Sequence, residues 1–201
     1  MASFREQKIA RKKREILRSA AAVLAEKGYH GTTMEEIAAQ LLMTKGSMYY
    51  YFKNKDDILY HCHQMIMELS LEKIEEVAGS NLNPDDKLQS AIKAHILLSI
   101  EEKSMFMIMD KPSQKFTEDQ LKEVLDAQKK YAHFFDQILN EGVEKQVFEI
   151  LDIKMVRMII LGALNSIQHW YNHDGPQTGE EIAYAYAANL LKMVVKPSLQ
   201  K

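Results

Sequence analysis

TMEEIAAQLLMTKGSMYYYFKNK, Thr33 to Lys55, reads as two short helices joined by a tight turn. Thr33-Met34-Glu35-Glu36 is a capping box, with Thr at the N-cap and Glu three residues on. Met34, Ile37, Ala38 and Leu41 follow at i, i+3, i+4 and i+7, the spacing of one buried helical face. Leu42 and Met43 make the turn, and Thr44 caps a second helix over residues 45–52. Met48 and Phe52 lie one turn apart and pack inward. Lys45 and Tyr49 share another face, with Gly46 and Tyr50 beside it. Three consecutive tyrosines, Tyr49, Tyr50 and Tyr51, and one cation leave that face little to bury. A helix-turn-helix whose second helix presents such a surface suits docking in a DNA groove, with Lys53 and Lys55 able to reach the phosphate backbone. A small helical bundle with core tyrosines is the structural alternative.

The run KGSMYYYFKNKDDIL, with Gly28-Tyr29, Thr32-Thr33 and Glu36-Ile37-Ala38 upstream, resembles the TetR family of bacterial repressors over roughly Ile16 to Leu59. Met43 departs from the small or polar residue that many members carry there. The resemblance implies an all-α chain. Residues 1–54 would form a three-helix DNA-binding domain and residues 55–201 a larger helical domain for ligand binding and dimerisation. It implies a homodimer that places two reading helices in major grooves about 34–36 Å apart on a near-palindromic double-stranded operator. Lys45, Tyr49, Tyr50 and Lys55 would carry most of the contact, joined by Tyr51, with Thr33, Thr44 and Gly46 close to the DNA backbone.

Charge follows the same division. The net charge is -2, yet residues 1–60 hold 11 Lys/Arg and 7 Asp/Glu, giving +4, and the remainder carries -6. A basic third on an acidic body fits a nucleic-acid-binding part attached to something else. Arg5, Lys8, Arg11, Lys12, Lys13, Arg14 and Arg18 crowd the first half of a helix expected over residues 5–27, ended by Gly28. They read either as a solvated helix end or as phosphate contacts. No apolar run of about 18 residues is present and the first residues lack a signal-like apolar core, so no membrane partner and a cytoplasmic location are expected. The single cysteine, Cys62, can form no intrachain disulfide.

The rest of the chain is helical by periodicity. Asn54 caps a long helix to about residue 78. Asn83 and Pro84 open the next. A short apolar piece at 104–109 closes at Asp110-Lys111-Pro112, and Thr117 caps a helix ending near residue 143. Gln146 stands where the resembling family has Gly and is expected in a left-handed turn. IKMVRMIILGALNSIQHWY, residues 153–171, reads as one helix apolar on more than one side. Thr178-Gly179-Glu180-Glu181 is a second capping box. In TetR-like proteins the last two long helices pair with their copies in a second chain.

DNA binding alone does not need so large a body, so a small-molecule effector is expected there, among the long helix after residue 54 and the three that follow. Met65, Met105 and Met109, adaptable side chains, are candidates for its lining, with Phe106, Tyr131, Phe134, His169 and Trp170. Asn165, Trp170-Tyr171, Gly175-Pro176 and Glu180-Glu181-Ile182-Ala183 resemble the C-terminal signature of a TetR subgroup that includes sensors of acyl-coenzyme A thioesters. That resemblance implies an acyl-coenzyme A or other apolar effector. Trp170 equally suits dimer packing, and a drug-responsive efflux regulator is the alternative of the same fold. His61-Cys62-His63 spaces its two His badly for zinc on a helix and supplies no orienting acid for a thiol nucleophile, so neither metal, cofactor nor catalysis is expected. A helical protein-interaction adaptor would need no basic first third.

Overall fold

The computed structural model describes residues 3–109 and 116–196, and among them the chain is helical, with one isolated antiparallel bridge between Phe148 and Val195. In order the helices are α1 (Phe4–Lys27), α2 (Met34–Gln40), α3 (Lys45–Tyr51), α4 (Lys55–Ala78), α5 (Pro84–Glu101), α6 (Lys103–Ile108), α7 (Glu118–Glu144), α8 (Ile153–Leu164), α9 (Ile167–Trp170) and α10 (Gly179–Lys192). The expected closure at Asp110-Lys111-Pro112 lies outside the described residues. Two compact units result: Met1–Ile66 with Ser104–Val124, and Met67–Lys103 with Leu125–Lys201. The division falls inside α4, after the first residue of α6 and again inside α7.

In the first unit α1 packs on α2, and α2 on α3. Its core is Ile16, Leu17, Ala20, Ile37, Met48, Phe52 and Ile58. α1 begins one residue before the expected Arg5 because Ser3 and Glu6 form a capping box. Gly28 ends it at φ +74°, a region that favours glycine. Cys62 and His63 are both fully buried here. Burial pushes the Cys62 thiol up, and it donates to the Leu17 carbonyl at 3.6 Å. His63 lies edge-on to Phe116 at 5.3 Å, and burial pushes it down to about 4.

In the second unit α5 packs against α8, α9 and α10. α10 turns Ile182, Ala183, Ala187 and Leu190 inward, behind the Thr178–Glu181 capping box. Gln146 takes φ +59°, the left-handed turn that sends the chain back past the end of α7. The expected helix over residues 153–171 is broken. α8 stops at Leu164, and Ser166 Oγ donates to the Ala163 carbonyl at 2.7 Å, a local bond that competes with helix continuation. Burial of α8 is also one-sided within the chain. Ile160 and Leu164 are buried, whereas Met155, Met158 and Ile159 stay about half exposed.

Candidate nucleic-acid interface and effector cavity

The interface is built from α2, the turn and α3. Thr33 Oγ1 accepts from the Glu36 amide at 3.2 Å, and Glu36 Oε2 accepts from the Thr33 amide at 2.9 Å. Lys27 pairs with Glu36 at 2.9 Å and, with these capping bonds, holds that carboxyl below the usual range. The start of α2 is thereby tied to the end of α1. At its other end Leu42 sits at φ +53°, and the Met43 amide donates back to the Ala38 carbonyl at 2.9 Å. Leu42 is 97% exposed. An unprotected leucine in a left-handed turn between two helices is a surface feature that apolar periodicity does not reveal, and it joins the candidate interface.

Thr44 caps α3 by accepting from the Ser47 amide at 3.2 Å. Met48 is fully buried and Phe52 nearly so, which fixes how α3 is rotated. The remaining face therefore carries Lys45, Gly46, Tyr49 and Tyr50 outward, with Tyr50 67% exposed. Tyr51 is half-buried and meets Tyr50 edge-on at 5.0 Å. Lys45 pairs with Glu35 and lies 5.9 Å from the Tyr49 ring centre. Space around Gly46 is open, so nothing in this chain obliges a glycine there.

Lys55 has a structural task. Its ammonium donates to the carbonyls of Tyr29 and, at 2.6 Å, Thr32, and it lies 4.0 Å from the Tyr29 ring centre. Tyr29 in turn donates to Asp56, and burial with that bond pushes its phenol up to about 12. Lys55 thus locks the α1–α2 loop to the start of α4. Reaching a phosphate would mean giving up those bonds. The α1 cations Arg5, Lys8, Arg11 and Arg14 are exposed, as is Lys13, whose ammonium lies 5.8 Å from the Phe52 ring centre.

The second site is a small cavity in the second unit, with space of about 10 Å³, enough for one water-sized group. Ser70, Lys73 and Ile74 of α4, Ala91, Ala94, His95 and Leu98 of α5, and Tyr131 of α7 line it. His95 Nδ1 and the Tyr131 hydroxyl are 2.9 Å apart, and the Asn165 side chain acts on His95 electrostatically. Burial pushes His95 down to about 4 and pushes the Tyr131 phenol up, so both are neutral near pH 7.

Of the eight expected lining residues, Tyr131 alone borders this cavity. Met65, Met105, Phe106 and Met109 belong to the first unit, and the first three are buried. Phe134 is half-buried, 5.9 Å from Lys130 Nζ. His169 is exposed on α9, and Trp170 stacks on Tyr186 at 6.2 Å. A lone His in an apolar stripe, as His95 is on α5, has the look of an ordinary core residue. Its partner stands 36 positions along the chain.

Residues 16–62 match the family described as bacterial regulatory proteins, tetR family, and residues 81–194 match the tetracyclin repressor-like C-terminal domain. The chain is 28% identical to the fatty acid metabolism regulator protein of Bacillus subtilis, over 80% of this chain and 84% of that one. It is 24% identical to the transcriptional repressor KstR2 of Mycobacterium tuberculosis, over 90% of this chain and 92% of that one. The solved KstR2 structure superposes with a TM-score of 0.84 over 92% of this chain and 95% of that chain. AibR in complex with isovaleryl coenzyme A and operator DNA is 26% identical, with a TM-score of 0.77 over 91% and 97% of the two chains.

Proposed function

The chain belongs to the TetR family of bacterial transcriptional regulators, and on that premise we propose that it is an effector-responsive repressor, homodimeric on a near-palindromic operator. One observation carries the DNA-reading surface: burial of Met48 and Phe52 turns Lys45, Tyr49 and Tyr50 outward. Residues 1–54 read DNA, and residues 55–201 bind the effector and dimerise. Tyr49 and Tyr50 meet base edges and sugars. Lys45 and the α1 cations neutralise phosphates, with Thr33, Thr44, Gly46 and Tyr51 around them, while Lys55 holds the α1–α2 loop behind that face. Operator binding is expected to fall by about 2 kcal/mol, roughly thirtyfold, for Tyr49→Ala, since each protomer of the dimer loses one base contact of about 1 kcal/mol. Fluorescence anisotropy on an operator duplex measures it, and unchanged affinity would remove Tyr49 from the reading face.

Dimerisation is supported by the half-exposed stripe of Met155, Met158 and Ile159 on α8 and by exposed Tyr184 on α10. Ile159→Glu is expected to convert the dimer to monomers in light scattering; a dimer that persists places the interface elsewhere. The protein is a regulator and not an enzyme, acting on DNA in the cytoplasm. Its effector is an acyl-coenzyme A thioester, a reading supported by the ligand bound to AibR. Bound effector shifts the balance between operator-binding and released states only through its differential affinity for the two.

A further inference from the structure

We infer that the Tyr131–His95 pair, at the cavity between α4, α5 and α7, anchors the neutral carbonyl oxygen of the effector's acyl group, with Lys73 at the mouth facing an anionic part outside. This rests on the effector reading above and gives that effector a polarity and an orientation.

The hydrogen-bonding side chains buried at the cavity, Ser70, His95 and Tyr131, are uncharged, whereas its cation, Lys73, is exposed. A carboxylate placed deep would have no cation beside it, and a cationic drug would have no carboxylate. A neutral carbonyl meets neither penalty. The His95–Tyr131 bond has two arrangements. Tyr131 can donate to Nδ1, or Nδ1–H can donate to the phenol oxygen and release the Tyr131 hydroxyl to donate into the cavity. An arriving carbonyl selects the second. The space of about 10 Å³ takes one oxygen atom. Ile74, Ala91, Ala94 and Leu98 supply the apolar wall for the adjoining carbons. Ala91 and Ala94, four and one residues before His95, keep that wall shallow.

The test uses the full chain, titrated by calorimetry with acetyl-, isovaleryl-, octanoyl- and palmitoyl-coenzyme A, free coenzyme A and the matching free acids. Operator release is read in parallel. Wild type is expected to bind one thioester class at least tenfold tighter than free coenzyme A or the free acid. Tyr131→Phe, which removes only the hydroxyl, and Ala94→Leu, which fills the wall, are each expected to weaken that thioester at least tenfold. Operator affinity without ligand stays as in wild type. Lys73→Ala is expected to weaken the thioester and to flatten the salt dependence of its binding. Thioester binding by Tyr131→Phe equal to wild type overturns the anchor and leaves the effector reading standing. Free coenzyme A binding as tightly as the thioester overturns the carbonyl assignment. Operator binding intact with no response to any thioester defeats the effector reading itself, and the anchor with it.

Discussion

Gly142→Ala is expected to destabilise the protein by about 3 kcal/mol, although the same change in a solvated helix stabilises by up to about 1 kcal/mol. Gly142 lies in the last turn of α7, where the chain leaves the helix and doubles back. A Cβ on it would stand 1.9 Å from Phe148 Cδ2 and 2.3 Å from Cε2, deep inside the ring's van der Waals surface. Phe148 is only 2% exposed. Its backbone is pinned, because the amides of Val147 and Phe148 both donate to the Gly142 carbonyl at 2.9 Å. The Glu149 amide donates to the Val194 carbonyl and the Lys196 amide to the Val147 carbonyl, at 2.8 and 3.1 Å. The ring cannot retreat with its main chain, so it must leave the core, and losing a buried Phe costs about 3–5 kcal/mol. Urea unfolding measures the effect. In a Phe148→Ala background the alanine at 142 is expected to become neutral or stabilising, because the clash is gone. Gly142→Ala more stable than wild type would show that Phe148 finds another seat.

Local signals in the sequence located most helix ends. Thr33 with Glu36, and Thr178 with Glu181, form the capping boxes that their spacing announces. Gly28 and Gln146 both take positive φ, one a glycine at a helix end and the other a residue forced into a tight return. Where the signal was a side chain competing with its own helix, it was less legible. Ser166 interrupts an apolar run that periodicity alone carries through to residue 171. Asn83 precedes Pro84 in the expected place but makes no side-chain cap bond. Long-range pairings were not legible. Lys55 looks like a basic residue following a reading helix, yet the carbonyls it holds belong to residues 26 and 23 positions earlier. The cavity likewise depends on three helices meeting, and no local pattern encodes that. The exposed face of α3 was the most legible part because it is local. Its outward side follows once Met48 and Phe52 are assigned inward.

Acidification from pH 7 to pH 5 is expected to remove about 4 kcal/mol of stability, about 2 kcal/mol from each of His63 and His95. Both are pushed from 6.5 to about 4, chiefly by burial, His63 against Phe116 and His95 beside Tyr131 and Asn165. Between those two values the unfolded chain binds a proton that the folded chain refuses. Stability therefore rises with pH across this window, is fully present above about pH 6.5 and is lost as pH falls toward 4. Each histidine contributes up to about 1.4 kcal/mol per pH unit. The carboxylates with lowered values, Glu35, Glu36, Glu141 and Glu181, begin from 4.5 and act mainly below pH 5, the lowest pH of this comparison. Urea unfolding at pH 7, 6 and 5 gives the slope. Trp170, the single tryptophan, reports on the unit that holds His95, while circular dichroism reports on all helices. His95→Gln is expected to lower stability at pH 7 and to reduce the slope by about one proton, with His63→Gln doing the same independently. Stability that does not change between pH 7 and pH 5 would mean that both rings accept a proton in place. That result would also undo the neutrality on which carbonyl recognition at Tyr131 and His95 depends.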